Sequence, residues 1–419
     1  MSANTAPASA VVVDAYTTGN HLAPAFRRHG VRVVHVQSTP ALMTTMMQPD
    51  LTQYEANIVL DDAGTHLDLL RAHRPLCVVA GQEPGVIPAD TLADQLGVPG
   101  NRPELSVARR DKYEMTEALR RAGVRCADQF TSADPDQITA WAAERGGRVV
   151  VKPRTSAATD HVVVCDTPGQ VRQAAAEVLA ARDIFGAANT EALVQAYLEG
   201  PEFKVDTVSY AGERYTCGVW QYHKRLVDGR NIYDRDEIRE PEDAATLEIT
   251  GYVDEVLRAL GIAYGPSHTE VIVTADGPVL VEVGARTAGG LVPPFHDACL
   301  GGNQADVTAL AFTDPERFRA RYAGRAYRKL RHASQVYGAT TLSGTVAAVD
   351  TATVERIEAL GSVYRFTPKK RPGDTLRPTV DLYSTTFVAH LAAGSAEELR
   401  RDYEVLQSLK DALYVLEEA

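Results

Sequence analysis

Hydrophobic and polar positions follow two rhythms along this chain, short apolar runs and helical periods, and the opening segment shows both. Ala10 to Val13, Val31 to Val36, Ala56 to Leu60 and Leu76 to Ala80 have the length and valine-rich content of buried strands. His21 to His29 and Ala89 to Leu96 read as helices between or after them. A strand, a loop, a helix and a second strand in succession predict a parallel sheet. The loop Asp14 to Asn20 leaves the carboxyl end of the first strand, where open α/β sheets bind ligands. It lacks a complete Gly-x-Gly-x-x-Gly, so it does not point to a dinucleotide.

Beyond a linker of turn residues, Gly97 to Pro103, the pattern predicts a helix from about Ser106 to Ala122, ended by Gly123. Strands at Val149 to Lys152 and His161 to Cys165 flank a polar loop, Pro153 to Asp160, and a helix covers Pro168 to Ala181. Leu193 to Tyr197 and Glu202 to Tyr210 read as strands around a bend, Leu198 to Pro201. A strand at Tyr215 to His223 leads into a charged segment, Lys224 to Glu242, that reads as irregular, and a helix follows from Ala244 to Leu260. After Gly302 the expectations are a helix to Phe312, a basic helical stretch from Arg317 to Arg331, a strand-rich region from Ser334 to Tyr383 and a terminal amphipathic helix from Ala396 to Leu416. No internal repeat is evident.

The segment from Ser267 to Gly290 carries the sharpest signal. It reads as a β-hairpin with two carboxylates, Glu270 and Glu282, on either side of Ala275-Asp-Gly277. With a three-residue loop and a left-handed Gly277, the acids face each other across the ladder, whereas a two-residue turn shifts the register by one and spoils the pairing. Opposed carboxylates about 5 Å apart repel. A divalent cation relieves that repulsion, and hard cations prefer oxygen ligands. The plainer alternative is a hairpin with exposed acids, but the remaining residues are Val, Ile and Leu, as in a sheet covered on both faces.

Composition narrows the partners. With 419 residues the chain divides into about three domains, read here as residues 1–100, 101–200 and 201–419. Forty-three Lys and Arg against 55 Asp and Glu give a net charge of −12, which argues against nucleic acid as a partner. Five cysteines without a Cys-x-x-Cys read as reduced thiols, consistent with a cytoplasmic setting. The small, polar start reads as a frayed tail rather than a leader, and no apolar run approaches the roughly 20 residues that span a bilayer.

Candidate phosphate contacts lie upstream of the hairpin. Lys152 ends a β-branched run and opens a loop containing Thr155, Ser156 and Thr159. Backbone N–H groups in such a loop cradle phosphate with the lysine as a point charge. The spacing is not that of a P-loop. Lys112, at the start of a helix, reads alone as a surface lysine and with Lys152 as a second phosphate contact. The strand–turn–strand from Gln195 to Glu202 offers a backbone edge for a purine, and Glu202 a pair of oxygens for ribose hydroxyls. By itself that stretch is an ordinary β-turn.

In this order, Lys112, Lys152, Gln195 to Glu202, Glu270, Glu282 and Arg286 resemble the ATP-grasp carboxylate–amine ligases, and most nearly the L-amino acid ligases of the bacilysin-synthetase type. Thr17-Thr-Gly19, Arg109-Arg-Asp-Lys112 and His268-Thr-Glu270 belong to the likeness, which covers about residues 11 to 300 well. It implies an α/β ATP-grasp fold: a Rossmann-like N-terminal domain, a small central α+β lid and a C-terminal α+β domain. It further implies that Lys112 and Lys152 contact the phosphates of ATP and that the loop with Ser156 and Thr159 closes over them. Gln195, Ala196 and Leu198 would hold the adenine, mostly through backbone, and Glu202 the ribose. Glu270 and Glu282 would bind magnesium (or manganese), and Lys224 would be a further phosphate lysine. His268 would face the transferred phosphoryl group; its alternative is a satisfied strand histidine. Arg286 would stabilise a tetrahedral oxyanion, with Gly289 and Gly290 leaving room for the substrate carboxylate. Four positions depart from the pattern: Ala158 and His161 replace glycines of the phosphate loop, Gly284 replaces an Asn two residues after the second acid, and Gln195 replaces a Glu.

The implied activity is formation of an amide from a small-molecule carboxylate and amine, with ADP and phosphate released. Its rivals are a ligase of purine or formyl/bicarbonate chemistry, a kinase that stops at a phosphorylated product, and an inactive ATP-binding module. No biotin-attachment Met-Lys-Met is present. Relatives imply a homodimer, for which the residues themselves carry no sign.

Overall fold

The computed structural model describes residues 8–44, 46–61, 64–156, 160–227 and 230–417. The N-terminal strands form a parallel sheet in the order Ala56–Val59, Arg32–Gln37, Ser9–Val13, Pro75–Ala80. The helices Leu22–Arg28 and Val86–Leu96 flank it, as the alternation predicts. A second, antiparallel sheet runs Gln129–Ser132, Ala192–Ala196, Val149–Pro153, Val163–Cys165. Its helices Pro135–Arg145 and Pro168–Ala180 bury Ile138, Ala142, Val171, Ala174, Ala175 and Val178 against it, a core of its own.

The third sheet has nine strands. Its main path runs Gly277–Gly284, Gly265–Thr274, Glu202–Tyr210, Glu213–Val227, Arg230–Ile238, His332–Tyr337, Phe387–Ala393, Val363–Pro368. One apolar core joins it to the N-terminal sheet, since Val11, Val36 and Leu92 share a cluster with Met115, Val205, Trp220 and Val283. Arg109, fully buried, pins the same junction: it pairs with Asp90 at 2.6 Å and donates to the carbonyls of Arg102 at 2.7 Å and Leu260 at 3.1 Å. A charge that deep is tolerated only with its hydrogen bonds satisfied.

Four expectations change. The helix expected from Ser106 begins at Lys112, because Asp111 caps it, its side chain accepting from the N–H groups of Tyr113 and Glu114; two short 3₁₀ turns occupy the residues before. The segment read as irregular is two paired strands, a fifteen-residue strand Glu213–Val227 against Arg230–Ile238. Charge interrupts the apolar alternation because Lys224 lines the cavity described below and Asp236 is buried in an ion pair with Lys204. The basic stretch is helical only over Pro315–Arg321. The final helix stops at Leu409, and Tyr414–Leu416 is a strand. The strand Gln129–Ser132 and the helix Pro135–Arg145, capped by Asp134, have no counterpart in the sequence reading.

Candidate active site

Glu270 lies directly opposite Glu282, by a route other than the expected three-residue loop. The ladder closes at Thr274 opposite Gly277, a two-residue connection whose register alone would set Glu270 against Val281. A bulge intervenes: Val271 pairs with Leu280 and Glu270 with Glu282, so Val281 is the extra residue. The bulge restores the facing pair that the turn would have spoiled.

On the other side of Gly265–Thr274, Glu270 pairs with Lys204 and His268 with Asp206. His268 Nδ1 lies 2.7 Å from Asp206 Oδ1, and its Nε2 lies 3.4 Å from Glu270 Oε1. The Tyr222 hydroxyl donates to the same Glu270 oxygen at 3.1 Å. Burial alone would lower the His268 pKa, but the hydrogen bonds to Asp206 and Glu270 outweigh it and raise it. Burial likewise opposes the Glu270 charge, yet the His268 hydrogen bond and the Lys224 charge bring its pKa down to about 2. Glu282 meets Lys112 Nζ at 2.8 Å through Oε2. The named contacts thus fall on one oxygen of each acid. Among the described residues no group of three or more His, Cys, Asp or Glu side chains is arranged to hold a metal ion. Two carboxylates alone fit magnesium that arrives with phosphate oxygens and water, its usual shell.

Lys112 Nζ also donates to the Ser156 carbonyl at 2.6 Å, and Lys112 N–H to the Arg154 carbonyl at 2.9 Å, which ties the helix start to the phosphate loop. Lys152 is buried and has its pKa lowered to about 8, first by desolvation and then by the Lys112 charge. Ser156 donates to Asp160 at 2.6 Å. Thr159 and Ala158 lie outside the described residues; His161, the other departure in this loop, takes φ 50°.

At the hinge, the Gln195 side chain turns to Gln129 (2.9 Å) and Thr116 (3.3 Å), so it is spent within the protein. The Ala196 N–H is likewise committed, to the Asp128 carbonyl at 2.9 Å, while Ala196 and Leu198 both line the cavity. Lys224, aligned from the sequence with a phosphate lysine, instead pairs with Glu202 at 2.6 Å and sits over the rings of Tyr222 and Tyr233.

Arg286 Nε lies 2.9 Å from Glu83 Oε1, and Arg110 pairs with the other oxygen of Glu83. Burial opposes the Glu83 charge, but Arg286 and Arg110 prevail and lower its pKa. An ideal Cβ at Gly284 would lie 2.4 Å from Glu83 Oε1. The missing side chain at 284 is therefore matched by Glu83 reaching in from the loop after Pro75–Ala80. The two substrate glycines differ. A Cβ at Gly290 would fall 2.4 Å from Gln335 Oε1, whereas one at Gly289 would meet nothing within 4 Å.

Glu83, Lys112, Lys152, Ser156, Glu202, Lys224, His268, Glu270, Glu282, Arg286, Gly289 and Gly290 line one cavity of about 610 Å³, together with Gln195, Ala196 and Leu198. Sequence reasoning missed Glu83, Lys204, Asp206, Tyr222 and Tyr233. A signal existed for two of them: Glu202, Lys204 and Asp206 recur at period two in an otherwise apolar strand, which puts all three on one face.

Residues 110–235 match the phosphoribosylglycinamide synthetase ATP-grasp (A) domain family. The chain belongs to the ATP-grasp ligases and is an ATP-dependent enzyme forming carbon–nitrogen bonds. It is 35% identical to dapdiamide A synthase of Enterobacter agglomerans over 387 residues, 90% of each chain. A phosphoribosylamine–glycine ligase of Streptococcus pneumoniae is 28% identical over 181 residues, 41% of this chain and 43% of that one. In fold, the chain is similar to an L-amino acid ligase from Bacillus licheniformis, with a TM-score of 0.76, 19% identity and coverage of 99% and 100%. No helix among the described residues is long and apolar enough to cross a membrane.

Proposed function

We propose that the cavity takes ATP, a carboxylic acid and an amine, and joins the latter two as an amide through an acyl phosphate, with amino acids as the substrates to test first. One observation carries this reading: two opposed carboxylates, Glu270 and Glu282, share a cavity wall with Lys112, Lys152 and Arg286. The adenine lies against the backbone of Gln195 to Leu198, and the ribose meets Glu202. Lys112 and Lys152 hold phosphate oxygens under the loop of Ser156 and Thr159. Magnesium on Glu270 and Glu282 would offset charge on those oxygens.

The acid's carboxylate oxygen attacks the γ-phosphorus, and ADP leaves. The amine nitrogen then attacks the acyl carbon, and phosphate departs as the carbon–oxygen bond breaks. Arg286 faces the oxyanion of that second step, with Gly289 and Gly290 beside the substrate, and His268, hydrogen-bonded to Asp206, faces the phosphoryl oxygens. Fixed charges of this kind need no reorganisation during reaction. The division at 1–100, 101–200 and 201–419 fits this reading: the middle part, with its own core, acts as the lid.

A screen of amino acids in pairs, read by phosphate release and by mass of the coupled product, tests it. ADP and phosphate formed only with acid and amine together support the ligase. AMP and pyrophosphate contradict it, as does an accumulating phosphorylated product that needs no amine.

A further inference from the structure

Every cation on the cavity wall can be matched to a partner, with two exceptions. Lys112 pairs with Glu282 at 2.8 Å, Lys224 with Glu202 at 2.6 Å, Lys204 with Asp236 at 2.5 Å and Arg286 with Glu83 at 2.9 Å. Among the described residues, Lys152 and Lys369 line the cavity without a carboxylate in ion-pair contact. Lys152 stands beside Lys112 at the proposed phosphate site. Lys369 comes from elsewhere: it follows Val363–Pro368, the strand at the far edge of the sheet from the metal hairpin.

Lys369 is held in place. Its N–H donates to the Thr386 carbonyl at 2.8 Å, and its ammonium donates to the Leu382 carbonyl at 2.8 Å and to Thr385 Oγ1 at 2.7 Å. An ammonium has three protons, so one donor remains, and both partners are neutral oxygens. Desolvation and the neighbouring Lys370 lower its pKa, and Asp381 offsets this only from a distance. His390, on the same wall, is kept neutral by burial and by His296, its pKa lowered to about 3, and supplies no countercharge. A part-buried, immobilised cation without an acid partner favours an anion that arrives from solution.

We propose that Lys369 is a specificity-determining residue of the acceptor site: it binds the carboxylate that an amino-acid acceptor keeps after coupling and so sets the preference for a free acid over a neutral amine. The inference rests on the ligase reading above. In that reaction the acid's own carboxylate is consumed at the phosphate end, and the carboxylate that persists is the one on an amino-acid acceptor.

The test compares L-amino acids with their carboxamides as acceptors, using the acid donor that the pair screen identifies, in wild type, Lys369→Met and Lys369→Arg. Wild type prefers the free acids. In Lys369→Met the ratio of kcat/KM for acid over amide falls at least about tenfold, the loss expected for a charge-assisted hydrogen bond, and Lys369→Arg restores most of it. Equal loss for acids and amides overturns the proposal, because a segment after Val363–Pro368 that has merely come loose affects both alike. Weakened MgATP binding with an unchanged ratio also overturns it and makes Lys369 a phosphate contact. If Lys369→Met does not fold, Lys369→Gln takes its place. Should no pair be coupled, the ligase reading fails separately, and fluorescence titration of the wild type with amino acids and amides in the presence of MgADP still decides the carboxylate preference.

Discussion

In the proposed reaction Glu282, Arg286, Lys152 and His268 would each carry a distinct signature when changed. Glu282→Gln removes one of two opposed acids and should abolish turnover while ATP-independent folding persists, as checked by phosphate release and a melting curve. Arg286→Ala should lower kcat by about two to three orders of magnitude, the usual cost of a lost oxyanion donor, with little change in KM for ATP. A normal kcat would remove Arg286 from the reaction. Lys152, with its pKa lowered to about 8, makes nucleotide binding pH-dependent: the ammonium binds phosphate, so MgATP affinity should fall as pH rises through about 8. Calorimetric titration of wild type and Lys152→Arg checks this, since an arginine stays charged and should flatten the profile. Asp206→Asn removes the anion that helps raise the His268 pKa, so the basic limb of the kcat profile should move to lower pH. Glu270, Glu282, Lys112 and Lys152 were legible because their spacing along the chain is distinctive. Asp206 and Glu83 were not, because each acts through a partner distant in sequence, His268 and Arg286.

Among elements, the hairpin shows how a correct pairing can rest on an incorrect turn. Nothing in Gly277 to Gly284 announces a bulge, since Val281 is as apolar as its neighbours; it becomes visible only when the two-residue connection and the facing acids must both be satisfied. Deleting Val281 should remove the bulge and leave Glu282 opposite Glu270 in a regular two-residue hairpin, so the facing pair survives. The expected outcome is a folded protein that keeps magnesium-dependent ATP turnover, read by circular dichroism alongside phosphate release; loss of turnover in a folded variant would show that the bulge itself is needed. The strands Glu213–Val227 and Arg230–Ile238 were hidden for a related reason. Lys224, Tyr222 and Asp236 face the cavity or its buried ion pairs, so the apolar alternation that marks a strand is interrupted where the site needs charge.

Across the whole molecule, the parallel N-terminal sheet was readable from valine-rich runs, and the nine-stranded sheet only in pieces. Its order joins strands from residues 202 to 393, pairings that no local pattern encodes. The middle sheet keeps a core of its own, whereas the N-terminal and large sheets share one and are pinned by Arg109. The central claim is that ATP hands its terminal phosphoryl group to the acid before the amine attacks. It is tested most directly with an acid whose carboxylate oxygens are heavy isotopes, followed by mass analysis of the released phosphate. The account predicts one heavy oxygen in that phosphate for each amide formed; amide formation with unlabelled phosphate would contradict it.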